Sequence, residues 1–149
     1  MKYLLDSNIL LHIVRGKRAY FLENFGLNDP SNKVFTSVVS VGEMRSFSLR
    51  NKWGESKRQI LETVFNEFPP IDINIEPILN HYAQIDAFCQ NKLDNYPLIG
   101  SARKMGKNDL WIAASASAIN ATLITTDKDF DHLDPLFFRV VYIEPSLIV

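Results

Sequence analysis

Tyr3, Leu4 and Leu5 form a short unbroken apolar run, and the polar triplet Asp6-Ser7-Asn8 follows at once. That is the pattern of a strand buried on both faces of a parallel sheet, which places Asp6 at a carboxyl end. Ile9, Leu10, Leu11, Ile13 and Val14 continue as the first turns of a helix that ends near Gly16. Lys17 to Phe25 reads as further helix with Ala19, Phe21, Leu22 and Phe25 inward, Asn28 to Asn32 as loop by composition, and Val34-Phe35-Thr36 as a second strand. Another helix opens in Ser37 to Glu43 and runs to about Asn51, with Ser37 and Ser40 both able to cap it.

From Ser56 to Phe68 the apolar residues Ile60, Leu61, Val64, Phe65 and Phe68 recur at three- and four-residue steps, an amphipathic helix with Lys57 and Arg58 on its other face. Pro69-Pro70 stops it, and Ile71-Asp72-Ile73 reads as a short third strand. Helix resumes near Pro77 with Ile78, Leu79, Tyr82, Ile85, Phe88 and Cys89 on one stripe, while Asp72, Glu76, Asp86 and Asp94 read as surface charge and His12 and His81 as structural. Asn91 to Gly106 is irregular, punctuated by Asn95-Tyr96-Pro97, Ile99-Gly100-Ser101 and Met105-Gly106. Asn108 then caps a helix of small apolar residues, Ala113, Ala114, Ala116 and Ala118 with Ile112 and Ile119, which is apolar almost all round and so must be buried. Thr122 to Thr125 is a fourth strand leading into Thr126-Asp127, Leu133-Asp134-Pro135 turns the chain, and Val140 to Ile143 is a last strand. Strands alternating with helices predict a three-layer α/β/α sandwich around a central parallel sheet of about five strands, in a single domain over residues 1–149.

Composition changes this picture little. Hydrophobic residues at 46% and charged residues at 22% are ordinary globular values, which excludes disorder, collagen and coiled coil. Cys89 is the sole cysteine, so no intrachain disulfide forms and the usual multi-cysteine zinc sites are excluded. With no signal-peptide core and no long apolar run, the expectation is a soluble cytoplasmic protein away from membranes. The net charge of -1 is unevenly distributed: residues 15–58 hold nine Lys/Arg against four Asp/Glu, and residues 59–100 hold one against six. Two solvated helical faces, or a patch facing a polyanion, would both account for it.

The chemistry lies in four carboxylates. Singly, each has a plain structural reading: Asp6 and Asp127 as strand-end turn residues, Glu43 as the capping-box partner of Ser40, and Asp109 as a favourable charge at a helix N-terminus. Together they fall at the sheet edge where strand ends and helix starts converge. Carboxylates packed within a few ångströms repel, and either take up protons or recruit a cation. Oxygen ligands without histidine or thiolate select Mg²⁺ or Mn²⁺, and such a site hydrolyses phosphodiesters.

Four stretches then carry a resemblance: Leu4-Leu5-Asp6-Ser7-Asn8-Ile9-Leu10, Ser40-Val41-Gly42-Glu43, Asn108-Asp109-Leu110-Trp111-Ile112-Ala113-Ala114, and Leu123-Ile124-Thr125-Thr126-Asp127-Lys128-Asp129-Phe130. In this order they resemble the motifs of PIN-domain nucleases, and most of all those of the VapC-like toxins of bacterial toxin–antitoxin pairs. The resemblance implies a Mg²⁺- or Mn²⁺-dependent ribonuclease, homodimeric and inhibited by a small antitoxin. Asp6, Glu43, Asp109 and Asp127 would form its acidic metal site, supported by hydrogen bonds from Asn8 and Thr125, with Asp129 and Asp131 within possible reach. Ser7 departs from the family's usual threonine but keeps the hydroxyl, and the long basic loop before Asn108 lies outside the motifs. Arg45, Arg50 and Lys52 after Glu43, and Arg103, Lys104 and Lys107 before Asp109, are candidates for RNA phosphate contacts.

Other readings share part of these features. A phosphatase with an aspartyl nucleophile calls for an acidic residue where Asn8 stands, and a receiver domain for an acidic pair near the N-terminus and a late lysine. A PIN nuclease outside any toxin–antitoxin pair, and a non-catalytic interaction protein, remain alternatives.

Overall fold

A computed structural model describes residues 1–97 and 100–149; Leu98 and Ile99, within the irregular segment before Gly106, lie outside the described residues. The elements are β1 (Lys2–Leu5), α1 (Ser7–His12), α2 (Arg18–Phe25), β2 (Lys33–Ser37), α3 (Val38–Arg50), α4 (Glu55–Glu67), β3 (Pro70–Ile71), α5 (Glu76–Cys89), α6 (Lys107–Ile119), β4 (Thr122–Thr125) and β5 (Val140–Tyr142). A π turn, Ile13–Lys17, joins α1 to α2, and a 3-10 helix, Lys128–Leu133, follows β4.

The five strands form one sheet in the order β3-β2-β1-β4-β5, with every pairing parallel. Alternation along the central strands builds a core on each face. Tyr3, Leu5 and Ile124 pack with Ile9, Leu10, Phe21, Leu61 and Phe65 from α1, α2 and α4. Leu4 and Leu123 pack on the opposite side with Ile85 and Phe88 of α5 and Ile112, Ala113 and Ala116 of α6. The chain leaves β1 toward β2 and β3 on one side and returns to β4 and β5 on the other, so the strand order reverses at the β1–β4 pair. At such a switch point the loops leaving adjacent strand ends diverge and open a crevice at the carboxyl edge.

Local details depart from expectation for identifiable reasons. The third strand is Pro70–Ile71 rather than Ile71 to Ile73, because the Asp72 carboxylate accepts from the Asn74 N–H and turns the chain out of the sheet. Ser37, not Ser40, caps α3: its backbone is extended and its hydroxyl accepts from the Val39 N–H. Gly106 occupies the N-cap of α6, which starts at Lys107 and puts Asn108 inside the first turn. Ala19 is exposed, and so is Ile60, at 46%, because the buried stripe of α4 is Leu61, Val64 and Phe65. His81 takes a structural place, its Nδ1 sitting 2.7 Å from Ser117 Oγ and tying α5 to α6. No helix among the described residues is long and apolar enough to cross a membrane.

Candidate metal centre

Asp6 is the first residue past β1 and is only 4% exposed. Its backbone N–H donates to Ile124 O at 3.1 Å and extends the ladder to β4, so the sheet itself sets where its side chain starts. One carboxylate oxygen accepts from the Ser7 N–H and the other from the Thr125 hydroxyl, each at 2.7 Å. The fully buried Thr125 hydroxyl in turn accepts from the Asp127 N–H at 3.0 Å, which joins the end of β1 to the turn after β4. Asp127 caps the 3-10 helix by accepting from the Asp129 N–H at 2.9 Å, and Asp109 projects from the first turn of α6. Carboxylate oxygens of Asp109, Asp127 and Asp129 lie within 4.8 Å of one another.

Glu43 arrives from the second turn of α3. Ser7 Oγ donates to Glu43 Oε1 at 2.8 Å, and since that uses its only proton, the Ser40 hydroxyl 2.8 Å away is the donor to Ser7. The three-residue spacing of Ser40 and Glu43 therefore puts both on the face of α3 turned to α1 and serves no cap.

Electrostatics couple the group. Burial is the main cause that pushes the Asp6 carboxyl up to about 6, with Glu43 and Asp127 adding repulsion and the bonds from Thr125 and Ser7 opposing it. Asp109 is pushed up to about 7, again mainly by burial and then by the charges of Asp6, Asp127, Glu43 and Asp129. Between an ordinary carboxyl pKa and these values the folded chain holds protons that the unfolded chain has lost, so rising pH favours unfolding across that window. Metal-free protein in EDTA is therefore expected to lose on the order of 3 to 4 kcal/mol of stability between about pH 4 and pH 7, the larger part from the buried Asp6 and the rest from Asp109 after discounting for its partial exposure. Urea unfolding at a series of pH values checks this, and a flat profile contradicts it.

Asp6, Glu43, Asp109, Asp127 and Asp129 thus share one electrostatic neighbourhood, and Thr125 is bonded within it. Asn8 differs from the expectation: it is exposed on α1, and its amide makes no hydrogen bond to these carboxylates among the described residues. The hydrogen-bonding role that the resemblance gives Asn8 falls instead to Ser7. Asp131 is exposed and outside the close carboxylate group.

The basic candidates divide. Arg45 forms an ion pair with Glu62 of α4 and stands two residues from Glu43, on the far side of the helix. Arg50 lies over the Phe47 ring at 5.6 Å, and Lys52 follows α3 with a positive φ of 52°. Arg103 is held by its backbone N–H on Cys89 O at 2.7 Å, while Lys104 is exposed and Lys107 opens α6. The Ser7–Ser40 pair and the Phe47–Trp53 rings have no signature in local periodicity; the i, i+3 relation of Ser40 to Glu43 and i, i+4 of Glu43 to Phe47 are the signals that point to them.

A family description reading "PIN domain" matches residues 3–136. The chain is 26% identical over 137 residues to Ribonuclease VapC1 of Haemophilus influenzae strain R2866, covering 91% of this chain and 95% of that one. It is 26% identical over 140 residues to Ribonuclease VapC2 of Rickettsia felis, covering 93% and 97%. The crystal structure of VapBC2 from Rickettsia felis bound to a promoter DNA fragment contains a chain that superposes with a TM-score of 0.76 at 22% identity, over 97% of this chain and 100% of that one.

Proposed function

Since the chain belongs to the PIN-domain family, we propose that it is a Mg²⁺- or Mn²⁺-dependent endoribonuclease, a hydrolase of phosphodiester bonds, and the toxin of a toxin–antitoxin pair. The observation that carries this is the acidic group itself: Asp6, Glu43, Asp109, Asp127 and Asp129 converge at the switch point of the sheet, where burial first and the neighbouring carboxylates second push Asp6 and Asp109 up toward neutrality. A cluster so built is relieved by a divalent cation. The donor set fits a hard ion, being carboxylate oxygen throughout, and its spread of up to 4.8 Å is close to the ~4.2 Å between opposite ligands of octahedral Mg²⁺, with room for retained waters.

Asp109, Asp127 and Asp129 would hold the ion with Asp6 beside them. When bound it supplies Lewis acidity at the scissile phosphate and lowers the pKa of water. The protein's own residues do the positioning. Thr125 and Ser7 lock both oxygens of Asp6, so that carboxylate keeps its orientation when charged. Ser7 holds one oxygen of Glu43, and the other oxygen, which has no hydrogen-bond partner among the described residues, would orient a water. Protons on Asp6 and Asp109 leave as the site loads, so loading strengthens as pH rises through about 6 to 7.

An antitoxin partner is supported by the likeness to a chain of the VapBC2 complex of Rickettsia felis. A homodimer is expected from the family resemblance, and an RNA substrate and a free buried thiol at Cys89 fit a cytoplasmic protein. The test is cleavage of an end-labelled RNA pool. Cleavage is expected with Mg²⁺ or Mn²⁺, and none with EDTA or with Asp6→Asn; cutting that survives both treatments removes the metal-site reading.

A further inference from the structure

α1 and α3 run side by side away from the carboxylates, joined at their upper ends by the Ser7 bonds to Ser40 and Glu43. Below Glu43, Phe47 and Arg50 follow at i+4 and i+7 on the same face of α3, ~6 and ~10 Å down the helix axis. Arg15, in the turn after α1, reaches this line from the other helix. Its guanidinium lies 5.8 Å from the Phe47 ring centre, and that of Arg50 lies 5.6 Å from the same ring. Trp53 meets Phe47 edge-on at 5.7 Å and carries Lys57 Nζ at 4.3 Å from its own ring centre.

Charge is what makes the arrangement unusual. Two guanidinium groups share one aromatic ring, and neither has a carboxylate partner among the described residues, whereas Arg18 and Arg45 are paired with Glu67 and Glu62. A ring quadrupole offsets only part of the repulsion between two such cations. Arg50 Nε donates to Ser46 Oγ at 3.4 Å, which leaves its two terminal NH₂ groups, like the guanidinium of Arg15, to meet an acceptor such as phosphate. Flanking cations in residues 15–58 add a positive field that the rest of the chain does not share.

We propose that Arg15, Phe47, Arg50, Trp53 and Lys57 form a binding subsite for single-stranded RNA, the two arginines taking backbone phosphates and the rings a base, on the strand leading to the Glu43 side of the carboxylates. This rests on the ribonuclease reading and extends it. Interleaved cations and aromatic rings suit single-stranded nucleic acid, because every base offers a face to stack and every linkage a charge. The line of side chains also ends where a phosphodiester has to be delivered.

The test is fluorescence anisotropy of a short labelled single-stranded RNA in EDTA, where binding is read without cleavage. Arg15→Ala/Arg50→Ala is expected to weaken binding about tenfold or more and to reduce the slope of log affinity against log salt by about 1.4, the loss of two phosphate contacts. Phe47→Leu, which keeps an apolar side chain but no ring, is expected to weaken it about fivefold with the slope unchanged. Lys92→Ala/Arg139→Ala removes equal charge elsewhere and is expected to leave the slope as it is. Circular dichroism melts check that each variant is folded. Unchanged affinity and slope in the arginine variant overturn the proposal, and so does an equal loss in the Lys92/Arg139 control. RNA binding that stays intact while an acidic protein partner is lost overturns it as well. If wild-type protein binds through these arginines yet fails to cleave with Mn²⁺, the nuclease reading falls and the subsite stands; if it cleaves and the variants bind as wild type does, only the subsite falls.

Discussion

Asp109→Asn is expected to abolish RNA cleavage, by ~10³-fold or more, and at the same time to make the metal-free protein more stable at pH 8. Both effects follow from one property of the site. Asp109 is surrounded by Asp6, Asp127, Glu43 and Asp129, and its carboxyl is pushed up to about 7. The amide is nearly the same size but carries no charge, so it withdraws one ligand oxygen's charge from the proposed ion and takes one repelling group out of the ion-free protein. A tenfold loss of rate is about 1.4 kcal/mol, and a metal-ligating carboxylate contributes several such steps to transition-state charge stabilisation. The stability gain has a definite pH signature. At about pH 3 and below, Asp109 is neutral in the folded state and largely so in the unfolded one, and the variant resembles the wild type. The difference opens as pH rises, is complete near pH 7, and is expected to reach on the order of 1 to 2 kcal/mol. Paired urea titrations at pH 3 and pH 8 in EDTA, with a cleavage assay in Mn²⁺, read both effects. A variant that is inactive and also less stable at pH 8 would mean that Asp109 is an ordinary helix N-terminal charge, stabilising through the dipole.

Thr125→Val is the second large effect, and here stability and activity fall together. The Thr125 hydroxyl is fully buried, donates to Asp6 and accepts from the Asp127 N–H, so one atom satisfies two polar groups on adjacent strand ends. Valine has nearly the same shape and removes only that atom's bonding. Two buried groups lose their partner, which costs ~2 to 3 kcal/mol. The bond from Thr125 also lowers the Asp6 carboxyl, so without it Asp6 moves further above its value of about 6 and is less available to a cation at neutral pH. Loss of such a support around a metal ligand costs ~10- to 100-fold in activity. Thr125→Ser keeps the hydroxyl and gives up one methyl, so it is expected to lose ~1 kcal/mol while retaining most activity. Urea melts and cleavage rates for the two variants separate the hydrogen bond from the packing. Equal behaviour of valine and serine would assign Thr125 to the core alone.

The order of elements was legible because it depends on short-range periodicity. Tyr3-Leu4-Leu5 and Thr122 to Thr125 are apolar or small at consecutive positions, as only a strand buried on both faces requires, and α6 from Ile112 to Ala116 is small or apolar and buried because it lies between β4 and α5. Local competition between neighbouring residues was less legible. Both Ser37 and Ser40 can cap a helix, and what decided between them was the partner each meets: Ser37 stays in an extended backbone after β2, while Ser40 points at Ser7 of another helix. The same holds for Arg45, whose charge is taken up by Glu62, seventeen residues away in sequence but across a helix pair in space.

By itself, then, the amino-acid order determined that β1 and β4 are buried parallel strands whose carboxyl ends carry Asp6 and Asp127, because alternation and strand direction are properties of the chain's own covalent geometry. Tertiary structure alone decided that Glu43 leans on Ser7, that Asp129 joins Asp109 and Asp127 while Asn8 faces solvent, and that two arginines share the Phe47 ring. Those outcomes depend on which helices lie side by side and at what rotation, and packing of the whole core sets that rotation.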